Sequence, residues 1–236
     1  MDKHFITILI PLYNGIEYLE ESINSIFSQT YKNWELLIGI NGRINDNEFK
    51  NKVINIIENL IKKYPHDTFD FNIINFNFKG KAVTLNNLVS QAKYDYIALL
   101  DADDIWFTDK LELQIKYLNN FDVIGTACEY IGDINNFSPN IPYGDISNFN
   151  IFNFNPIINS SVIIKKDLAY WCEDINIILE DYDLWFRLYS QSKKIYNLNN
   201  VLCYHRIYKN STFNPTNSEN LGVLKNKWLN IKYLNN

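Results

Sequence analysis

The sequence predicts an α/β fold with a mostly parallel central sheet flanked by helices. Three observations predict it. Short apolar runs rich in β-branched residues, such as 5–10 and 34–40, read as strands buried on both faces. Apolar residues between these runs recur at helical spacing. The connections are short, which favours right-handed crossovers between parallel strands.

In order, residues 5–10 (FITILI) form a first strand closed by Pro11. The turn Tyr13-Asn14-Gly15 leads into a helix whose Ile16, Leu19, Ile23 and Ile26 share a face. Residues 34–40 (WELLIGI) give a second strand, and Asn41-Gly42 turns the chain out of it. Ile54, Ile57 and Ile61 mark a second helix, and residues 71–76 a third strand. Gly80-Lys81 opens a helix through Leu85 and Leu88, which delivers the strand 96–100 (YIALL). Leu111, Ile115 and Leu118 mark another helix before a strand over 121–126. Beyond about Cys128 the rhythm breaks, and residues 132–156, rich in Asn, Pro and Gly, read as a long loop or irregular hairpin. A strand near 157–164, a helix over about 181–189, a strand near Val201 and a terminal helix from about Glu219 complete the chain.

Composition narrows the function classes. The 236 residues are 47% hydrophobic and 21% charged, which excludes a disordered or fibrous chain. Lys and Arg number 22 against 27 Asp and Glu, a net charge of −5 with no concentrated basic stretch, so no nucleic-acid partner is expected. Cys128, Cys172 and Cys203 are odd in number and lack a CxxC pair, against a disulfide framework or a zinc site. Asn occurs 36 times and Ile 34 times, against 6 Ala and 3 Arg, so an isolated Asn carries little information. No apolar run reaches the roughly 18 residues of a membrane span. Met1-Asp2-Lys3-His4 leads straight into a strand, and a soluble, cytoplasmic chain without a signal peptide is expected.

Ligands of open α/β sheets bind beyond the carboxyl ends of the strands. There the sequence places Asp101-Ala102-Asp103-Asp104, three carboxylates leaving a wholly apolar strand. In an extended segment Asp101 and Asp103 point the same way. Carboxylates brought together repel unless a cation or proton joins them, and Mg²⁺ or Mn²⁺ takes such oxygen ligands and shares them with diphosphates. Helix capping near Thr108 and Asp109 is the competing role for Asp103 or Asp104. A second acidic group, Glu180-Asp181-Tyr182-Asp183, precedes an amphipathic helix with Leu184, Trp185 and Leu188 inward. A helix N-terminus favours an ionised Asp181, suited to accepting a proton from a hydroxyl, with N-capping again the alternative.

These residues resemble family 2 glycosyltransferases of the GT-A fold. The matching pieces are residues 8–15 (ILIPLYNG), 25–31 (SIFSQTY), Gly80-Lys81 with Asn86, Asp101-Ala102-Asp103-Asp104-x-Trp106, residues 180–185 (EDYDLW) and, more weakly, 204–211 (YHRIYKNS). They run in family order over 5–211. The resemblance implies an inverting transfer of a sugar from a nucleotide-sugar donor, UDP-linked, to a glycan, lipid-linked or protein acceptor, assisted by Mn²⁺ or Mg²⁺. Asp101, Ala102 and Asp103 then belong to the DxD element that meets metal and diphosphate, with Asp103 the direct ligand. Asp181 matches the general base. Pro11, Tyr13 and Asn14 match the loop under the nucleotide, and Lys81 begins the donor-binding helix. Residues 1–127 become the nucleotide-sugar-binding half, and 128–236 the acceptor-binding and catalytic-base half, of one continuous domain.

Two positions depart from the family pattern. Asn41 stands where an aspartate often meets the donor base, and it can accept a hydrogen bond from a uracil or thymine N–H but supplies no charge. The late motif commonly reads Tyr-Arg-x-His, whereas this chain has Tyr208 at the histidine position and His205 three residues earlier, so either His205 serves as a third metal ligand or it is structural and the site lacks a histidine. Trp106 and Trp185 either wall the sugar pocket or pack in the core. Leu221, Leu224, Trp228 and Ile231, with Lys225, Lys227 and Lys232 nearby, either rest peripherally on a membrane or dock on the chain's own domain. A non-catalytic nucleotide-sugar-binding relic and a nucleotidyltransferase are the competing functions; the chain lacks a Gly-rich phosphate loop after its first strand, against the latter.

Overall fold

Alternation along the strands divides the interior in two. The computed structural model describes residues 4–43, 45–64, 69–174, 179–208 and 218–234. Strand β1 (Ile6–Leu12) sends Ile6, Ile8, Ile10 and Leu12 to one face and Leu9 to the other, all fully buried. Helices α1 (Leu19–Phe27) and α2 (Asn47–Lys63) cover the first face through Ile23, Ile26, Val53 and Ile57. Strand β2 (Trp34–Asn41) lies beside β1, and β3 (Asp70–Phe76) beside β2, both parallel. Helix α3 (Lys81–Gln91) lies on the second face. A Cβ on Gly39 would stand 2.8 Å from Thr84 Cγ2 and 3.0 Å from Leu88 Cδ1, so glycine sets how closely α3 seats on β2.

Strand β4 (Tyr96–Leu99) pairs parallel with the other side of β1. That pairing ends at Leu9↔Leu99, so Pro11, in register with Gly39 of β2, stays within β1 without costing a bond to β4. Beyond β4 come β5 (Ile105–Trp106), α4 (Lys110–Gln114) continued by a 3₁₀ turn at Ile115–Tyr117, and β6 (Val123–Gly132). The remaining elements are β7 (Gly144–Asp145), β8 (Ile163–Lys165), α5 (Glu180–Ser190), β9 (Ile195–Ile207) and α6 (Ser218–Leu234), with 3₁₀ turns at Asn159–Ser161 and Lys166–Leu168. The sheet order is β3-β2-β1-β4-β8-β6-β9-β5, with β7 also on β9. β8 runs antiparallel to β4 and β6, while β6 and β9 are parallel.

Two expectations change, and one open pair of readings is narrowed. β6 continues past Cys128 to Gly132 because β9 pairs with it over its whole length. The apolar stretch 157–164 is a strand only from Ile163; Asn159–Ser161 turns instead, its side chains engaged by the neighbouring loops. On α6, Leu221, Leu224 and Trp228 pack into the core cluster that includes α5, which favours docking on the chain's own domain, one of the two readings of that face. The side chains of Ile231 and Lys232 lie outside the described residues, as do Lys209, Asn210 and Ser211 of the late motif and the first three residues. No helix among the described residues is long and apolar enough to cross a membrane.

Lys110 is fully buried, its Nζ 2.7 Å from Gln114 Oε1 and 3.9 Å from the centroid of the Trp106 ring. No carboxylate pairs with it among the described residues, and burial pushes its pKa down from 10.5 to about 7. The unfolded chain keeps that proton up to the ordinary lysine value, so the buried amine makes folding more favourable as pH rises between about 7 and 10.5. The slope is at most ~1.4 kcal/mol per pH unit. Lys110→Met removes that slope: its stability relative to the native chain should fall steadily from pH 7 to 10 in denaturant titrations. A pH-independent difference would contradict the buried, strained ammonium.

Candidate active site

Strand order reverses between β1 and β4, and the loops leaving their carboxyl ends meet there. The turn after β1 uses Gly15 at φ +82°, where a Cβ would lie 4.0 Å from Asp103 Cβ. That conformation strains any side-chain-bearing residue. The loop 13–15 and the acidic turn after β4 therefore lie side by side.

The acidic turn is braced from two sides. The Ser22 hydroxyl of α1 lies 2.8 Å from Ala102 O and 2.6 Å from Asp104 O, donating to that pair of carbonyls. Ser25 Oγ accepts from Trp106 N at 3.1 Å, and Gln29 Nε2 donates to Phe107 O at 2.7 Å. From the other side, Ser160 Oγ accepts from Asp101 N at 3.0 Å, Asn159 Nδ2 donates to Asp101 Oδ2 at 3.2 Å, and Trp106 Nε1 donates to Ser160 O at 2.6 Å. Sequence reading gave none of these braces a role. Their signal was a buried polar stripe along and just past α1, Ser22, Ser25 and Gln29 at spacing i, i+3, i+7. Asn159 was masked by the excess of Asn.

The three aspartates have different partners. Asp104 is fully buried and holds His205 Nδ1 at 2.9 Å and Arg206 N at 2.8 Å. Burial lowers the His205 pKa, but Asp104 outweighs it and raises the imidazole to about 9. Asp101 meets Lys81 Nζ at 2.7 Å. Burial would raise its carboxyl, yet Lys81 and Asn159 bring it below the usual range. Asp103 accepts from the Tyr208 hydroxyl at 3.0 Å and has no cationic side chain on it among the described residues. Burial, with Asp104 and Asp101 close by, pushes it up to about 6. Neither Asp103 nor Asp104 caps α4, whose N-cap Asp109 makes no side-chain capping bond.

Lys81, the first residue of α3, joins this turn to the second acidic motif. Its Nζ is 2.7 Å from Asp101 Oδ1 and 3.7 Å from Glu180 Oε1. Burial opposes its charge, but Asp101, Glu180 and Asp181 together raise its pKa. Asp181 lies in the first turn of α5, where its Oδ1 accepts from Tyr182 N at 2.8 Å. Leu179, not an acid, is the N-cap. Burial lifts Asp181 above the usual carboxylate range against the pull of Lys81, and burial likewise raises Glu180. A carboxylate raised in this way is a stronger base.

Around the first loop, Arg43 Nε donates to Tyr13 O at 2.7 Å and an Arg43 terminal nitrogen to Asn14 Oδ1 at 3.0 Å. Lys79 Nζ stands 4.5 Å from the Tyr13 ring centroid. Asn41 is 3% exposed; its Nδ2 donates to Leu12 O and its Oδ1 accepts from Gly80 N. The Asn41 amide ties the ends of β1, β2 and α3 together. Trp106 and Trp185 are core residues, 3% and 0% exposed.

A divalent cation fits this turn at one side chain. Among the described residues Asp103 is the aspartate of this turn that pairs with no cationic side chain, and hard cations take oxygen ligands while sharing others with a diphosphate. The expected set of Asp103, Asp101 and His205 is not gathered as a closed cage, since no three His, Cys, Asp or Glu side chains converge to hold a metal among the described residues. Asp101 is taken by Lys81 and His205 by Asp104.

Comparison with known proteins places the chain in a family. Residues 7–168 match the family described as Glycosyl transferase family 2. The O-antigen biosynthesis glycosyltransferase WbnJ of Escherichia coli is 30% identical over 218 residues, covering 88% of this chain and 81% of WbnJ. The E. coli UDP-Glc:alpha-D-GlcNAc-diphosphoundecaprenol beta-1,3-glucosyltransferase WfaP is 29% identical over 214 residues, covering 87% and 78%. Among solved structures, S. aureus TarS 1-349 in complex with UDP superposes with a TM-score of 0.69 at 16% identity, over 95% of this chain and 65% of TarS. The mannosyltransferase PcManGT from Pyrobaculum calidifontis, in complex with GDP-Man and Mn²⁺, gives 0.64 at 15% identity, over 89% of this chain and 59% of that one. With the family match spanning most of the chain and the GT-A glycosyltransferase architecture around these acids, the chain belongs to glycosyl transferase family 2.

Proposed function

We propose that the chain transfers a sugar from a UDP-linked donor to an acceptor hydroxyl with inversion, assisted by Mn²⁺ or Mg²⁺. The observation that carries this reading is Lys81, whose ammonium touches Asp101 of one acidic motif and Glu180 of the other. In this reading residues 1–127 hold the donor and 128–236 supply acceptor contacts and the base. The loop Pro11, Tyr13 and Asn14 lies under the nucleotide, steadied by Arg43. Asp103 would hold the cation, with Asp101 kept anionic beside it by Lys81. A bound cation supplies charge neutralisation for the departing nucleoside diphosphate. Asp181 accepts the proton of the acceptor hydroxyl as its oxygen bonds to the anomeric carbon and the bond from that carbon to the diphosphate breaks. The complex of TarS with UDP and the UDP-Glc in the name of WfaP support a uridine donor. The diphosphoundecaprenol in the name of WfaP supports a lipid-linked glycan acceptor.

A panel of nucleotide sugars, with and without Mn²⁺, tests the reading by thermal shift and by release of nucleoside diphosphate. A UDP-sugar should stabilise the fold in a Mn²⁺-dependent way and release UDP when turned over. Binding without release would favour a non-catalytic relic, and release of pyrophosphate from a nucleoside triphosphate would overturn sugar transfer altogether.

A further inference from the structure

Helix α5 begins without a capping side chain, and Glu180, Asp181 and Asp183 crowd three carboxylates into its first turn. What steadies that turn comes from the end of the chain. Asp183 has a side chain only 5% exposed, and one of its oxygens accepts from both Lys227 Nζ at 2.7 Å and Trp228 Nε1 at 2.8 Å. The Trp228 ring stacks on Phe186 at 6.2 Å and 8°, and Phe186 stacks on Tyr182 at 4.8 Å and 24°. The Tyr182 hydroxyl then donates to Ile151 O at 2.6 Å. Leu224, 4% exposed, fills the space between the helices. Residues two apart on a helix diverge by about 200°, so the grip on Asp183 leaves Asp181 on the Lys81 side.

We propose that α6 is a positioning strap: Lys227 and Trp228, acting through Asp183, fix the rotation of the first turn of α5 and so hold Asp181 in place. The proposal rests on the reading of Asp181 as the base. A buried carboxylate stripped of its cation and N–H donor is left uncompensated, and movement of the helix start toward water relieves it. Lys227 and Trp228 touch no substrate; they set the direction of the group that does.

The test compares Trp228→Phe, which keeps the ring stack but loses the N–H donor, the double variant Lys227→Met/Trp228→Phe, and Lys227→Arg, which keeps the ion pair. Three quantities are read: UDP release from the UDP-sugar with Mn²⁺, UDP affinity by calorimetry, and amide exchange over 180–184 by mass spectrometry. The double variant should lose about tenfold to a hundredfold in kcat, with donor KM and UDP affinity unchanged and faster exchange. Trp228→Phe should fall between, and Lys227→Arg should match the native chain. Unchanged kcat despite faster exchange, unchanged exchange, or a joint fall of kcat and UDP affinity would overturn the strap. If the native chain releases UDP from no UDP-sugar, the functional reading fails separately, and the exchange comparison alone decides whether α6 fixes α5.

Discussion

Asp181→Asn should lower the rate of UDP release and of sugar transfer by about 10²–10⁴-fold, the usual contribution of a positioned general base. Donor binding should survive. Asn has the shape of Asp, and its Oδ1 can still accept from Tyr182 N, the 2.8 Å bond that orients the side chain. What is lost is the proton acceptor. The neighbouring Glu180 makes the comparison sharper, because burial also raises its pKa and it lies 3.7 Å from Lys81. With Asp181 as the sole base, Glu180→Gln should retain most activity despite these shared features. If Asp181→Asn turned over at the native rate, or Glu180→Gln were the inactive variant, the base would be misassigned. Steady-state kinetics of both variants, with UDP affinity measured alongside, separates these outcomes.

Asp103→Ala should abolish the increment that Mn²⁺ adds to UDP binding. A nucleotide at 100 times its Kd stabilises the fold by about 2.7 kcal/mol, so loss of the cation-dependent part is readily seen in thermal unfolding. The same variant makes a second, independent prediction. Burial and two acidic neighbours push Asp103 up to about 6, so at neutral pH its ionised form works against folding in the ligand-free chain. Without ligand, Asp103→Ala should be no less stable than the native chain at pH 7.5. A ligand-free variant that unfolds early, or one that keeps full Mn²⁺-supported UDP binding, would contradict the role given to Asp103.

The half of the chain up to β4 was legible because its strands are apolar on both faces and its helices keep a clean period. Ile6, Ile8 and Leu9 announce a doubly covered strand, and Ile23 and Ile26 a helix laid upon it. The later half was less so, for physical reasons visible residue by residue. Past Cys128, β6 carries the charged Glu129 and ends on the exposed Gly132, which hide its continuation. The stretch around Asn159–Ser161 is apolar on both sides and reads as strand, yet its side chains are drawn off to Asp101, Thr126 and the acidic turn. The two acidic motifs stood out in the sequence. Their division of labour did not, because it depends on partners distant in the chain: Asp104 is fully buried by meeting His205, 101 residues away, and Lys81 reaches both Asp101 and Glu180. The bonds by which the buried Asn41 amide joins Leu12 to Gly80 were likewise not legible, because both partners lie far from it in the chain.

The most direct test is anomalous scattering from Mn²⁺ in crystals grown with UDP. The account predicts a single strong peak within bonding distance of an Asp103 carboxylate oxygen and of the UDP diphosphate, with Asp181 facing the same open space from the other side of Lys81. A peak held elsewhere, or UDP bound with Asp103 and Asp181 on opposite surfaces of the molecule, would contradict it.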